Sequence, residues 1–119
     1  MSPVELLDAI AVLSVADVPS SLAFYREQLG FETDFSMDGY AGVRRGRMVL
    51  HLDGGTHEFS HRPGNCRFHI RGVDELYVEL EPRGVVKPDE QLANMPHGLR
   101  QFSVLDPDGN RITFAEPLA

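Results

Sequence analysis

The sequence predicts an α+β protein built from two pseudo-symmetric βαβββ modules, whose curled mixed sheets enclose a cleft. Three observations carry this. The stretch Val12 to Phe31, VLSVADVPSSLAFYREQLGF, reads as a strand, a turn and a helix. Its pattern returns in CRFHI followed by GVDELYVELEPRGV, which sets Asp17-Val18 against Gly72-Val73 at an offset of about 55 residues, close to half of the 119-residue chain. Gly46 then precedes MVLHL as Gly109 precedes RITF. A unit this long that occurs only twice is a duplicated module and not a solenoid repeat.

The elements follow in order. Val4 to Leu7 reads as a short edge strand or an arm, and AIAVLSV from Ala9 is the first clear strand. If Ala11, Leu13 and Val15 lie under the helix, Ile10, Val12 and Ser14 point to the opposite face. Asp17 can cap the helix, Pro19 suits its first turn and Gly30 is a natural stop. Leu22, Tyr25 and Leu29 share one helical face, widened by Ala23 and Phe24, while Arg26, Glu27 and Gln28 face water. FETDFSM is a strand, Asp38-Gly39 a turn, and YAGVRR and MVLHL are strands ended by Asp53-Gly54-Gly55. One domain thus divides into a first module at about 8–55, a polar linker at 56–64 and a second module at about 65–119. In the second module Val73, Leu76 and Leu80 share a helical face that Pro82 and Gly84 end. VVKPDEQLANMPHG covers a third element and a loop, LRQFSVL is a strand, DPDGN a tight turn and RITFAEP the last strand.

Composition narrows the function classes. A hydrophobic content of 42% supports a packed core, and a net charge of −7 argues against nucleic acid or an anionic membrane as partner. The longest apolar run is far short of the roughly 20 residues of a membrane span, and MSPVELLDAI carries acids where a signal peptide has bases, so a cytoplasmic location is expected. Cys66 is the only cysteine, which rules out an intrachain disulfide and reads as a structural thiol on a strand.

VLSVADVPSSLAFYREQLGFETDF, GVDELYVEL and LRQFSVLDPDGNRITFAEP together resemble the vicinal oxygen chelate superfamily of glyoxalases, bleomycin-resistance proteins and dioxygenases. Its bleomycin-resistance branch is the nearest in pattern. The superfamily spans glyoxalase I, extradiol dioxygenases, fosfomycin-modifying enzymes and metal-free drug-binding proteins, so function has to be read from the site. In metal-using relatives the ligands lie early in the first and fifth strands and after the glycine turn in the fourth and eighth. Spacing places those positions at Ile10, Leu50, Asn65 and Thr113, none of which is His, Cys or a carboxylate. Moving the fourth strand by one residue puts His51 in place of Leu50 and fills a single corner. A divalent ion needs about three such donors, so neither a metal nor any other cofactor is expected.

No catalytic residue is expected either. His57-Glu58-Phe59-Ser60-His61 matches H-E-x-x-H, but it lies between Gly54-Gly55 and Pro63-Gly64 without the apolar stripe of a stable helix. It reads as a solvated linker, able at most to pick up Ni²⁺ or Zn²⁺ adventitiously. Ser20 and Ser21 belong to the helix start, no other serine has a G-x-S-x-G setting, and Asp106-Pro107-Asp108-Gly109 is turn chemistry.

Asn65, Arg67 and His69 share one face of the fifth strand. The resemblance places Phe35 and Tyr40 where drug-binding relatives present rings, and His97 where a tryptophan is frequent; this chain has no Trp. A flat or anionic small molecule, rather than bleomycin specifically, is therefore expected at Phe35, Tyr40, Arg67, His69 and His97. The predicted function is a metal-independent binding protein that sequesters an antibiotic or metabolite. The alternatives are a glyoxalase-type lyase or dioxygenase with an atypical site, and a catalytically idle dimer module. The resemblance also implies a homodimer, with arms or modules exchanged and clefts between subunits, and open apolar faces with bare sheet edges argue the same way.

Overall fold

Asp17 starts the first helix as its position predicts. In the computed structural model, which describes residues 3–55 and 62–118, its backbone is extended and its carboxylate accepts the Ser20 N–H at 2.9 Å. Before this helix, α1 (Val18–Glu27), stands β1 (Ala11–Ser14); after it come β2 (Glu32–Met37), β3 (Tyr40–Arg45) and β4 (Met48–Asp53). The second half repeats the order. It runs β5 (Asn65–His69), α2 (Val73–Leu80) with a further 3₁₀ turn at Glu81–Arg83, a two-residue β6 (Ala93–Asn94), β7 (Leu99–Leu105) and β8 (Arg111–Pro117).

Each half forms a four-stranded mixed sheet, ordered β1-β4-β3-β2 and β5-β8-β7-β6. In both, the strand before the helix lies parallel to the last strand of its module, and the other pairs are antiparallel. The predicted α+β class and the doubled βαβββ order are what the structure shows. Residues 3–10 belong to no strand, so the structure has the arm and not the edge strand at Val4 to Leu7; Leu6 is 92% and Leu7 80% exposed. No helix among the described residues is long and apolar enough to cross a membrane.

Strand alternation sets which side is buried. Leu13, Val15, Leu50, Leu52 and Val43 from the first sheet join Phe68, Phe102, Val104, Ile112 and Phe114 from the second in one core on the helix side. Phe31 and Phe68, with ring centroids 6.4 Å apart, carry that core across the modules. The α1 stripe is turned slightly from the expected one: Val18, Ser21 and Tyr25 are buried, while Leu22 is half-buried.

Two polar joints hold the modules together. Tyr25 donates its hydroxyl to Asp106 Oδ2 at 2.8 Å, and Asp106 also accepts from the Asn110 amide and from the backbone N–H groups of Asp108 and Asn110. Asn110 in turn donates to the Ser14 carbonyl at 2.8 Å and accepts from Gly64 N–H at 2.7 Å. Burial, reinforced by the Asp106 carboxylate, pushes the Tyr25 phenol far above its ordinary range. At the second joint Arg45 binds the Leu29 carbonyl at 2.8 Å and Glu79 through both its terminal nitrogens at 2.8 and 2.9 Å. Arg83 donates to the Gln28 carbonyl at 2.7 Å, so the open C-terminal end of α1 is closed by guanidinium groups.

Candidate functional site

With the core on the helix side, the opposite face of each sheet is open. On the first sheet the strand register puts Phe35, Gly42, His51 and Val12 in one row across β2, β3, β4 and β1. Gly42 explains how the row packs. A Cβ at this position would stand 2.4 Å from Phe35 Cε1, so the missing side chain is what lets the Phe35 ring lie across β3. From there the ring meets His51 edge-on at 5.1 Å and 89° and stacks with Tyr40 at 6.2 Å and 26°. The Tyr40 hydroxyl and His51 Nδ1 lie 2.8 Å apart in a hydrogen bond that fixes the imidazole. The result is a half-buried three-ring patch beside exposed Val12 (53%) and Met37 (59%).

One expectation about this face is corrected. Counting on from Gly46 puts Leu50 toward the cleft, whereas Leu50 is fully buried in the core and His51 takes the open face. The turns explain the difference. Arg45 pairs with Met48 across a two-residue turn that Gly46 opens, while Leu105 pairs with Arg111 across five residues in which Gly109 stands fourth. A phase counted from the glycine therefore does not transfer between the hairpins.

On the second sheet Asn65, Arg67 and His69 turn outward, as alternation predicts, and Cys66 and Phe68 turn to the core. Arg67 donates to Gln101 Oε1 at 2.8 Å, and the buried hydroxyls of Ser103 and Thr113 bond each other at 2.8 Å. Further along this module Glu90 takes Arg111 at 2.9 Å and Lys87 at 3.3 Å. Asn65, Arg67 and His69 line a cavity of about 630 Å³ whose other wall is Ile10, Met48 and Val49 at the edge of the first sheet. The structure thus brings Phe35 together with Tyr40, and Arg67 together with His69. His97 belongs to neither group and is exposed in the turn between β6 and β7. Burial, with Asp106 nearby, pushes the Cys66 thiol up to about 11, so it is no nucleophile at neutral pH.

Paired βαβββ modules with an open ligand-sized face define a class of protein. Residues 7–114 match the family model of the Glyoxalase/Bleomycin resistance protein/Dioxygenase superfamily, and the chain belongs to that family. It is 30% identical to bleomycin resistance proteins of Geobacillus stearothermophilus and Staphylococcus aureus, over 95% of this chain and 98% of theirs. Among solved structures it is similar to the bleomycin-binding protein of Streptomyces verticillus complexed with copper(II)-bleomycin, at 31% identity and a TM-score of 0.70 over 93% of this chain and 96% of that one. A lactoylglutathione lyase from Agrobacterium tumefaciens shares the fold at a TM-score of 0.72 and 22% identity, covering 97% of this chain and 96% of that one. The fold therefore carries both binding and catalysis, and the side chains decide between them.

The positions that the resemblance implies for metal ligands are Ile10, Leu50, Asn65 and Thr113, and the register puts His51 in place of Leu50 on the open face. They do not fit a divalent ion: one imidazole is the only strong donor, its Nδ1 is held by Tyr40, and the Thr113 hydroxyl is held by Ser103. Among the described residues no three His, Cys, Asp or Glu side chains converge. The His57 to His61 motif lies outside the described residues. One ring of the patch, His51, and the glycine that seats another, Gly42, were absent from the expected set. Leu50 and Leu52, two apart, were the signal that His51 faces outward, and a glycine inside YAGVRR was the signal of a close approach at Gly42.

Proposed function

We propose that the protein binds a flat small molecule of the bleomycin kind and sequesters it, with no metal of its own and no reaction. The observation that carries this reading is the Phe35–Tyr40–His51 patch, three rings locked by stacking and one hydrogen bond on an open sheet face. Such a surface gains little from a flexible apolar ligand but matches a planar conjugated one. Arg67 and His69, in the 630 Å³ cavity, supply a cation and a second ring for an acidic or polar group. The names of the relatives support the ligand class. The donor set described above counts against the glyoxalase-type alternative.

A single copy offers one wall for stacking, so the reading includes a homodimer in which a second copy supplies the other. The exposed apolar arm at Val4, Leu6 and Leu7 and the exposed Ile10 and Val12 are the surfaces it would cover. A radius of gyration of 15.2 Å, against about 13.5 Å for a compact domain of this length, supports a chain completed by a partner.

Thermal unfolding with metal-free bleomycin and other planar compounds tests the proposal. At about 100 times its dissociation constant a ligand of the folded state stabilises by about 2.7 kcal/mol, a rise of several degrees. Tyr40→Ala should abolish that rise and His69→Ala reduce it, with the unliganded midpoint kept within a few degrees. A response that survives Tyr40→Ala removes the ring patch as the site, and turnover of the methylglyoxal–glutathione adduct with added metal replaces binding by lyase chemistry. Sedimentation at micromolar concentration showing only a 13.3 kDa monomer would refute the dimer.

A further inference from the structure

We propose that the seam between the modules, on the helix side, binds a small zwitterion with an apolar body, an apolar α-amino acid being the simplest form. A cavity of about 300 Å³ lies there, at the small end of the range for ligand pockets. Its floor is apolar: Phe31 and Met48 from the first module, Ile70, Leu76 and Phe114 from the second. Its walls are held in place, because Arg45 and Glu79 satisfy each other and Arg45 also grips the Leu29 carbonyl. Those two charges are spent on the joint.

Two others at the same cavity are not. Arg71 and Glu75 both line it, and neither has a hydrogen bond or ion pair among the described residues, with each other or with a neighbour. Between them Gly72, at φ +88°, has no side chain to cover the mouth. The helix N-terminus itself is not the anion receptor, since Glu116 Oε1 already accepts from Gly72 and Val73 N–H at 2.8 and 2.9 Å. An incoming carboxylate is left with Arg71 and an incoming ammonium with Glu75. A ligand carrying both, with an apolar side chain for the floor, satisfies every unpaired feature of the cavity; one carrying a single charge leaves the other group unmatched.

The test is titration of the ¹⁵N-labelled protein with L-phenylalanine, phenylacetate and phenethylamine, followed by amide shifts. Phenylalanine should move Phe31 and the Ile70–Leu76 stretch, and bind about tenfold or more tighter than either half-ligand. Arg71→Ala and Glu75→Ala alter exposed side chains, so the fold should persist, and each should weaken phenylalanine about tenfold. Equal affinity for the three compounds, affinity unchanged in both variants, or no shift at about 50 mM would overturn the proposal. Bleomycin-type compounds in the same titration report at Tyr40 and His51, so the two sites stand or fall separately.

Discussion

The two open faces share a topology and differ in chemistry. The first is a patch of rings, Phe35, Tyr40 and His51, in mutual contact. The second is polar and partly hydrogen-bonded within itself, through Arg67 with Gln101 and Ser103 with Thr113, and keeps the Arg67 charge. Their buried faces remain alike, alternating apolar residues under a helix. The contrast teaches which half of a duplicated pattern is free to diverge. Burial penalises any polar residue on the core side, whereas the open side tolerates any residue that finds a partner or a ligand. The hairpins diverge too: one closes in two residues without buried polar groups, and the other is a five-residue knot around Asp106.

The largest expected effect breaks that hairpin contrast. Asp106→Ala strands the Tyr25 hydroxyl and the Asn110 backbone N–H in the interior, at about 1–3 kcal/mol each, and should cost about 3 kcal/mol or more. Arg47→Ala, in the turn of the other hairpin, should stay within about 0.5 kcal/mol. Urea unfolding of both measures the difference, and equal effects would show that the two turns are energetically alike.

Next in size is the alkali effect that Cys66 contributes. Cys66 is a thiol whose folded pKa is raised from 9.0 to about 11 by burial, chiefly, and by Asp106. The module offset sets it against Ala11, which cannot titrate. A raised folded pKa gives stability that is complete below the unfolded value and lost as pH climbs through the folded one. Between pH 9 and about 11 the wild type should therefore lose about 2–3 kcal/mol more than Cys66→Ala. Denaturant curves at pH 8 and pH 11 read the difference, and parallel losses would remove the thiol from the account.

The smallest effect on stability sharpens the contrast of the faces. Gly42→Ala drives a methyl into the Phe35 ring and should cost about 1–2 kcal/mol, yet remove the thermal response to planar ligands almost wholly. An intact response would mean that the patch can be rearranged without loss and that stacking geometry is not what selects the ligand.

Much of this was legible from residue order, because the signals were local. Asp17 capping, the alternation through Leu13 and Val15, and the outward set Asn65, Arg67 and His69 follow from single-element periodicity, which tertiary contacts here do not override. What escaped depended on comparing two hairpins or two strands. The outward position of His51, marked by Leu50 and Leu52 on either side, was lost to a count carried over from the other hairpin, and the identity of Phe35 as the ring that Gly42 admits turns on cross-strand register, which no single strand records. The Arg71–Glu75 cavity depends on how the modules meet and has no motif at all.

The closure of α1 by Arg45 and Arg83 has a consequence for how the chain unfolds. The helix lies in the first module, yet its last carbonyls are satisfied by a guanidinium from the second and by another that Glu79 of the second holds in place. Tyr25 likewise has its partner in the second. Opening either module alone would leave buried polar groups of the other without partners, so partial unfolding carries nearly the cost of complete unfolding. Two copies of a sequence pattern have thus become one cooperative unit. Amide hydrogens at the centres of both sheets should exchange with solvent under a single common ceiling, and neither half should persist as a folding intermediate.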